Sequence, residues 1–228
     1  DKGLIDYKQC WDDQEVLFKA SIQQKIDNRD GKSDETPPNH LIFCEHPHVY
    51  TLGKSGAESN LLINEEMLRQ HNAEFYIINR GGDITYHGPG QRIIYIMLNL
   101  RERSYDIRRF VNTLESWIVD SLSDLGVESR LIKGKVGVWI DKRGEPEEKI
   151  ASIGLRVRKG ITFHGISLNI DPNLDHFNGI ISCGNKKNGV TSLKKLGIIL
   201  PKEKIDGILL KNFEKNFHIN TRLIEIQS

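Results

Sequence analysis

One stretch, residues 80–91, constrains the fold of this chain more than any other feature of its sequence. It holds four glycines, a proline and a histidine, and it lies between the apolar, strand-like residues 75–78 and 93–98. An ordinary turn needs only one or two special residues, so this composition indicates backbone brought close to a ligand. From composition alone, a long hairpin or a bulged region remains the alternative.

The length of 228 residues favours a single domain, residues 1–228, that buries roughly 70–75% of the surface exposed by the unfolded chain. Such a core is large enough to hold a pocket. The 32 lysines and arginines nearly balance the 31 aspartates and glutamates, which leaves a formal net charge of +1. This balance excludes a whole-protein nucleic-acid binder, so we expect no nucleic-acid partner.

Two features indicate the cellular compartment. No run approaches the roughly 18 apolar residues of a membrane-spanning helix, and the first residues lack the basic and then apolar pattern of a signal peptide. Cys10, Cys44 and Cys183 are odd in number and widely spaced, which favours reduced thiols over a disulfide framework. We therefore expect a cytoplasmic protein with no membrane contact.

Apolar spacing and capping residues predict helices and strands in irregular alternation. The predicted helices run from Asp12 or Asp13 to about residue 28, from Asn64 to Gln70 and over residues 106–125, with further starts at Thr191 and Pro201. The predicted strands cover residues 40–44, 74–79, 129–132, 136–140, 149–157 and 161–170. Strands mixed with helices that do not alternate regularly predict one α+β domain.

A metal site is the first chemistry to consider. Cys44, His46 and His48 alternate along the chain and would share one face of a strand. Their spacing fits no common zinc pattern, and the sequence offers no evident fourth ligand. We therefore expect no metal.

Two further residues stand in unusual settings. Cys183 follows the apolar residues 180–181 and precedes Gly184, where a thiol can reach a pocket. Lys149 opens a strand of mostly apolar residues, which is an awkward place for a solvated ammonium. A lone cysteine is more often a small buried hydrophobe, and a lysine at a strand start is more often a surface residue. The residues alone leave these alternatives open.

Five segments follow one another in a specific order: residues 45–53, 80–91, 149–158, 163–169, and 183–184 with 190–193. In composition and order they resemble the lipoyl(octanoyl) transferase family, whose members move an octanoyl group from acyl carrier protein to a lysine of a lipoyl domain. The resemblance implies an early step of protein lipoylation. It also implies a mixed β-sheet packed by helices, similar to the catalytic domains of biotin and lipoate protein ligases.

The resemblance also implies roles for individual residues. Cys183 aligns with the family's nucleophilic cysteine, which forms an acyl thioester, and Lys149 is its expected partner. Glycine backbone amides or His87 could stabilise the oxyanion, whereas His46 and His164 are expected to pack or orient. No cofactor is expected. The implied substrate contacts are Arg80, Gly81, Gly82, Asp83, Ile84, Thr85, Tyr86, His87, Ser152, Ile153, Gly154, Gly165, Ile166 and Ser167.

The implied partners are proteins. The donor is octanoyl-acyl carrier protein, and the acceptors are lipoyl domains of 2-oxoacid dehydrogenase complexes and the glycine cleavage H protein. Such partners are typically acidic, so Arg156, Arg158 and Lys159 are candidates for a basic contact patch.

Three alternative functions remain. An ATP-dependent lipoate or biotin protein ligase would use the glycine stretch for an adenylate and need no cysteine nucleophile. A cysteine hydrolase would need a histidine base beside Cys183, which the sequence does not identify. A non-enzymatic acyl-binding module would need neither residue to react.

Overall fold

The structure is a computed structural model, and it describes residues 1–101, 106–142, 144–181 and 189–222. Its helices are α1 (Tyr7–Arg29), α2 (Glu65–Gln70), α3 (Ile107–Asp124) and α4 (Lys202–Phe217). Its strands are β1 (His40–Cys44), β2 (Val49–Leu52), β3 (Glu74–Ile77), β4 (Ile84–His87), β5 (Gln91–Met97), β6 (Arg130–Ile132), β7 (Lys135–Ile140), β8 (Glu148–Arg158), β9 (Ile161–Asn169) and β10 (Gly189–Val190).

These strands form two sheets. The larger has the order β1-β5-β9-β8-β7-β6, with neighbours antiparallel, and β10 adds to β8 in parallel. The smaller has the order β3-β2-β4, with β3 parallel and β4 antiparallel to β2. A mixed sheet packed by helices was expected, and this architecture confirms it.

Strand β5 lies at the centre of the core, and all seven of its residues are buried. Alternate side chains of a strand point to opposite faces. Ile93 and Tyr95 therefore join the cluster that contains Cys10 and Phe18 of α1. Ile94 and its neighbours on the other face pack with α3 and α4. The large sheet is thus covered on both faces, which explains why β5 reads as a continuous apolar run.

Helices α3 and α4 pack as a pair on one face of the large sheet. Trp117 of α3 is fully buried, and its Nε1 donates a hydrogen bond of 2.7 Å to the Leu209 carbonyl of α4. Its ring centroid lies 4.9 Å from that of Phe213 in an edge-to-face arrangement. The apolar residues that predicted α3 are therefore core residues.

Most predicted elements are confirmed, and two helix starts are wrong. The caps Asn64 and Pro201 precede α2 and α4 as predicted. Helix α1 starts earlier than predicted because the Asp6 side chain accepts a hydrogen bond from the Gln9 backbone N–H. Thr191 does not start a helix, since residues 193–197 form a turn that ends at Gly197 with φ +84°.

No helix in the described part of the chain combines the length and the apolar composition that would let it span a membrane.

A buried ion pair ties α4 to the large sheet, and its removal should be costly. Arg92 of β5 is fully buried and donates from Nε and Nη2 to both carboxylate oxygens of Asp206, at 2.8 and 2.7 Å. Asp206→Ala leaves the guanidinium with the more exposed Asp1 alone, so we expect the free energy of unfolding to fall by about 3 kcal/mol. Urea unfolding measures this. Lys215 lies on α4, like Asp206, and forms an exposed pair with Asp120 of α3. Lys215→Ala breaks this pair and should have a far smaller effect on the free energy of unfolding.

Candidate functional site

The glycine stretch, residues 80–91, lies across two strands of the large sheet at positions where both strands carry glycine and so have no side chain. Gly154 of β8 and Gly165 of β9 face each other as a cross-strand pair. A Cβ atom at Gly154 would lie only 3.0 Å from Cδ of Arg80, so the guanidinium arm crosses the strand at this glycine. The backbone N–H of Gly81 donates to the Leu155 carbonyl at 2.7 Å. The stretch is therefore held against β8 by its own backbone.

Arg80 joins the same stretch to the small sheet. Its Nη2 donates to the carbonyl and the hydroxyl of Thr51 at 2.6 and 2.9 Å, and its Nη1 donates to the Gly81 carbonyl at 3.0 Å. Gly53 allows the approach, because a Cβ atom there would lie 2.3 Å from the Gly82 carbonyl oxygen. Arg80 is 7% exposed, and its contacts with Thr51 and Gly154 link the two sheets.

Two adjoining cavities open between the glycine stretch and strands β8 and β9. The larger has a volume of about 360 Å³, within the usual range for small-molecule sites, and the smaller about 50 Å³. Both are lined by Arg80, Thr85, Ser152 and Ile153. The larger is also lined by the predicted contacts Gly82, Asp83 and Ile84, and the smaller by His87, Gly154, Gly165, Ile166 and Ser167.

Two predicted substrate contacts do not line either cavity. The backbone of Gly81 is engaged by Leu155 and Arg80, as described above. Tyr86 is fully buried on the opposite face of β4 from Thr85, with its hydroxyl 2.7 Å from Nδ1 of His48. The alternation of side chains along a strand explains the position of Tyr86, since the glycine stretch contains the strand β4.

Lys149 lies in the wall of the larger cavity. It is the second residue of β8 and is only 8% exposed. Its Nζ lies 4.6 Å from the ring centroid of Trp139, which is the residue opposite it on β7. The structure therefore brings the predicted lysine to the segments that were predicted to contact substrate.

Cys183 lies outside the described residues, but both ends of its segment are placed. Before it, the Ile181 N–H donates to the Asn60 carbonyl at 2.8 Å. After it, Gly189 and Val190 line the larger cavity and pair in parallel with Glu148 and Lys149. The first described residues after Cys183 thus lie beside Lys149.

His87 lines the smaller cavity in a neutral form. Burial, with a further contribution from His46, lowers the pKa of His87 to about 3. Its Nδ1 lies 3.0 Å from Oε1 of Gln91, whose amide nitrogen donates to the Tyr86 carbonyl and to Oδ1 of Asn169. This network assigns the imidazole proton to Nδ1, so Nε2 is an acceptor. In this tautomer Nε2 carries no proton, so it does not suit the expected role of His87, which is to donate a hydrogen bond to the oxyanion.

His164 marks a distortion of β9 at the smaller cavity. Its φ of +64° is unusual for a residue other than glycine. Next to it, the Thr162 hydroxyl accepts from the Leu98 N–H at 2.9 Å and donates to the Ile96 carbonyl at 2.7 Å. These bonds connect β9 to the end of β5, beyond the last residues paired between the two strands. Burial, together with the charges of Arg80 and Arg156, lowers the pKa of His164 to about 3.

Potential metal ligands meet in one buried group among the described residues. The ligand atoms of Cys10, Cys44 and His46 lie within 4.8 Å of one another. Both ring nitrogens of His46 already have partners, the Ile5 carbonyl at 2.8 Å and the Tyr95 hydroxyl at 2.7 Å. We interpret the group as packed and hydrogen bonded, and the absence of a metal stays a prediction.

The group considered from the sequence does not form. His48 lies apart from Cys44 and His46, with its ring stacked on His176 at 4.4 Å. Burial raises the pKa of Cys44 well above its ordinary value. Cys10 and Cys44 are both fully buried free thiols, as expected for cysteines outside a disulfide framework.

Several residues of the cavity walls were not predicted. The larger cavity is also lined by Lys135, Val136 and Trp139 of β7, and the smaller by Tyr7 and Tyr95. Gly137 within a predicted strand was the available signal for β7, because a glycine there often marks close approach of another group. Tyr7 and Tyr95 gave no signal, since buried tyrosines are common in cores.

Known proteins similar to this chain were identified from its sequence. The family model described as the lipoyl protein ligase A/B catalytic domain matches residues 6–214. The octanoyltransferase of Christiangramia forsetii is 44% identical over 221 residues, which cover 94% of this chain and 93% of the relative. The octanoyltransferase of Flavobacterium johnsoniae is 45% identical over 207 residues, which cover 90% of this chain and 88% of the relative.

A solved structure shows the same fold at low sequence identity. A bipartite lipoate protein ligase of Thermoplasma acidophilum aligns with a TM-score of 0.70 at 16% identity, over 99% of this chain and 87% of that chain. This similarity confirms the expected lipoate-ligase architecture.

His164 should make the fold sensitive to acid. Its ordinary pKa is 6.5, so the unfolded chain binds the proton first as the pH falls towards 3. The stabilisation is complete above about pH 6.5, and about 2 kcal/mol should be lost between pH 7 and pH 5. His164→Asn, which tolerates a positive φ and does not titrate, should remove this loss in urea unfolding. His218→Asn, at an exposed position with φ +53°, is the control for the backbone conformation.

An equal loss of stability between the two pH values in wild type and His164→Asn would contradict this assignment.

Proposed function

Since this chain belongs to the lipoyl protein ligase A/B catalytic-domain family, we propose that it transfers an octanoyl group from a carrier-protein thioester to a lysine of a lipoyl domain. The octanoyltransferases similar to it support this reaction, because they match nine tenths or more of the chain. One structural observation carries the proposal. Lys149 lies in the wall of a cavity lined by the predicted substrate segments.

The proposed reaction begins with Cys183. An ordinary cysteine has a pKa of ~8.5, and an adjacent ammonium favours the reactive thiolate. In this proposal Lys149 supplies that ammonium, and the support is that Val190, among the first described residues after Cys183, pairs with Lys149. The thiolate attacks the octanoyl carbonyl, a C–S bond forms to Cys183, and the C–S bond to the carrier breaks. The carrier sulfur takes the proton of the Lys149 ammonium and leaves as a thiol, and Lys149 is then neutral.

The second half-reaction uses the same pair. The acyl-enzyme is itself a thioester, so it stays activated towards nitrogen and needs no ATP. The acceptor lysine attacks the carbonyl, a C–N bond forms, and the C–S bond to Cys183 breaks. Neutral Lys149 takes the proton of the incoming amine, whose ordinary pKa of ~10.4 would otherwise keep it charged. The cysteine thiolate is then restored.

The cavity walls suit a neutral acyl chain and a developing oxyanion. Burial keeps His87 and His164 uncharged, so neither imidazole adds a positive charge to the wall of the smaller cavity. Because Nε2 of His87 is an acceptor, we assign the oxyanion to backbone N–H groups of the glycine stretch. Glycine allows such close approach of backbone to substrate.

The partners follow from the same proposal. The donor is octanoyl-acyl carrier protein, and the acceptors are lipoyl domains of 2-oxoacid dehydrogenase complexes and the glycine cleavage H protein. Arg158 and Lys159 are exposed at the turn after β8 and remain candidates for contact with acidic partners. Arg156 is less available, since it donates to Oδ1 of Asn79 at 2.9 Å. The free thiols Cys10 and Cys44 support a cytoplasmic reaction.

The acyl-enzyme is the decisive test. Incubation with octanoyl-acyl carrier protein, without ATP, should give a hydroxylamine-labile octanoyl adduct on the peptide that contains Cys183. Mass spectrometry detects the adduct, and adding a lipoyl domain should discharge it. Cys183→Ala should abolish both steps, whereas Cys10→Ala is the matched control at a buried thiol.

The same experiment separates the alternatives. Transfer that required ATP and left Cys183 unmodified would identify a ligase. Release of free octanoate without an acceptor would identify a hydrolase. Binding of the acyl group with no adduct and no transfer would identify a binding module.

Lys149→Met tests the proposed pairing. Loss of the ammonium should raise the pH midpoint for iodoacetamide alkylation of Cys183 by about one unit. It should also slow aminolysis of preformed acyl-enzyme by about 10²–10⁴-fold, because the base is gone. Cys10 and Cys44 are fully buried, so iodoacetamide alkylation of the native protein should measure the reactivity of Cys183. Identical midpoints in wild type and Lys149→Met would disprove the pairing.

A further inference from the structure

A β-bulge directs Lys149 into the cavity. Val138 pairs with Ala151, but the next residue of β7, Trp139, pairs with Lys149. Ile150 is therefore the extra residue on β8, and both Ile150 and Ala151 are buried in the core under α3. Bulges commonly re-aim a side chain. Here the bulge lets two successive residues face the core while Lys149 faces the cavity.

The ring of Trp139 supports the ammonium of Lys149. The Nζ atom lies 4.6 Å from the ring centroid, within the range of a cation–π interaction. Trp139 is 4% exposed and Lys149 is 8% exposed, so water screens their attraction little. A four-carbon side chain loses considerable rotamer freedom when it is held in one place. The indole face offsets part of that cost.

A buried carboxylate from α3 is hydrogen bonded to Gly137, which lies beside the side chain of the same lysine. Glu115 is buried, and its Oε1 accepts a hydrogen bond of 2.9 Å from the Gly137 N–H. Burial raises the pKa of Glu115, while the Gly137 N–H and the charge of Lys149 act in the opposite direction. A buried carboxylate needs such partners.

Gly137 makes room for this arrangement. Its φ is +116°, and a Cβ atom there would lie 2.6 Å from the Ala151 carbonyl oxygen and 3.3 Å from Cε of Lys149. Any side chain at this position would therefore press on the lysine arm. The same residue turns its N–H towards Glu115.

We infer that Trp139 and Glu115 are positioning residues for Lys149, which hold its ammonium at the cavity wall through an indole face and a buried carboxylate. This inference rests on the proposed function, because it assumes that Lys149 takes part in transfer. Neither residue needs to touch the substrate. Both act by fixing where the amine lies when it meets the nucleophile and the acceptor lysine.

Lys135 provides an internal comparison. Its Nζ also lies near the ring of Trp139, at 5.3 Å from the centroid, and it lines the same cavity. If Trp139 served only to pack the wall, its removal would affect turnover in the same way whichever lysine is present. If it positions Lys149, the effect must depend on Lys149.

A double-mutant cycle in the octanoyl transfer assay decides between these possibilities. Trp139→Leu should lower kcat about tenfold and leave KM for the carrier protein within about twofold, because the proposed role of the ring is to place the amine of Lys149 and not to bind the carrier. Trp139→Phe keeps an aromatic face and should stay within about threefold of wild type. In a Lys149→Met background, Trp139→Leu should cause no further loss. The loss of kcat caused by Trp139→Leu should persist in full in a Lys135→Met background.

Glu115→Gln gives a second double-mutant cycle, which requires no change at Trp139. Glutamine keeps the shape of the side chain and the acceptor for Gly137 N–H, but it removes the charge. We expect kcat to fall about threefold to tenfold, again only when Lys149 is present. Thermal unfolding of every variant verifies the fold, and if Trp139→Leu fails to fold, Trp139→Phe and Glu115→Gln decide.

The possible failures are distinguishable. A wild-type protein that transfers no octanoyl group would overturn the proposed function itself. A wild type that transfers normally, with losses from Trp139→Leu and Glu115→Gln that are equal with and without Lys149, would overturn only the positioning role. A Trp139→Phe variant as slow as Trp139→Leu would do the same.

Discussion

The close approach of three backbone segments at Gly154 and Gly165 is the constraint on which the cavities depend. A side chain at Gly154 would collide with Arg80, and one at Gly165 would collide with the Ile94 carbonyl. The missing side chains leave space above β8 and β9, and the glycine stretch spans that space. Hydrogen bonds from Arg80 and from the Gly81 backbone then fix the stretch to both sheets. A ligand site built on strands is held more precisely than one on loops alone.

Burial determines how charge is distributed around this space. The imidazoles of His87 and His164 are neutral because a desolvated imidazolium is unfavourable. The guanidinium of Arg80 donates to Thr51 and to the glycine stretch, so its charge supports the architecture. Lys149 differs from Arg80, since it reaches the cavity wall across the face of Trp139. A lysine held in this way can change its protonation state during a reaction, which an arginine cannot.

The fold by itself does not select the chemistry. The lipoate protein ligase of Thermoplasma acidophilum shares the architecture at only 16% identity. A shared fold can carry either activation by ATP or direct transfer from a thioester. Our proposal places the distinction in individual residues, namely a nucleophilic thiol and a lysine that serves it. For this reason the proposed function rests on Cys183 and Lys149 and on the relatives that match nearly the whole chain.

The sequence by itself determined the elements whose signal is local. The three- and four-residue spacing of apolar residues predicted α3, and the strand predicted over residues 161–170 is β9. The tertiary structure alone decided which side chains meet. The pairing of Trp139 with Lys149 depends on a bulge, the burial of Tyr86 depends on a strand hidden in a glycine-rich stretch, and the proton of His87 depends on Gln91. Periodicity reports the path of the backbone, whereas register and burial are set by packing between segments distant in sequence.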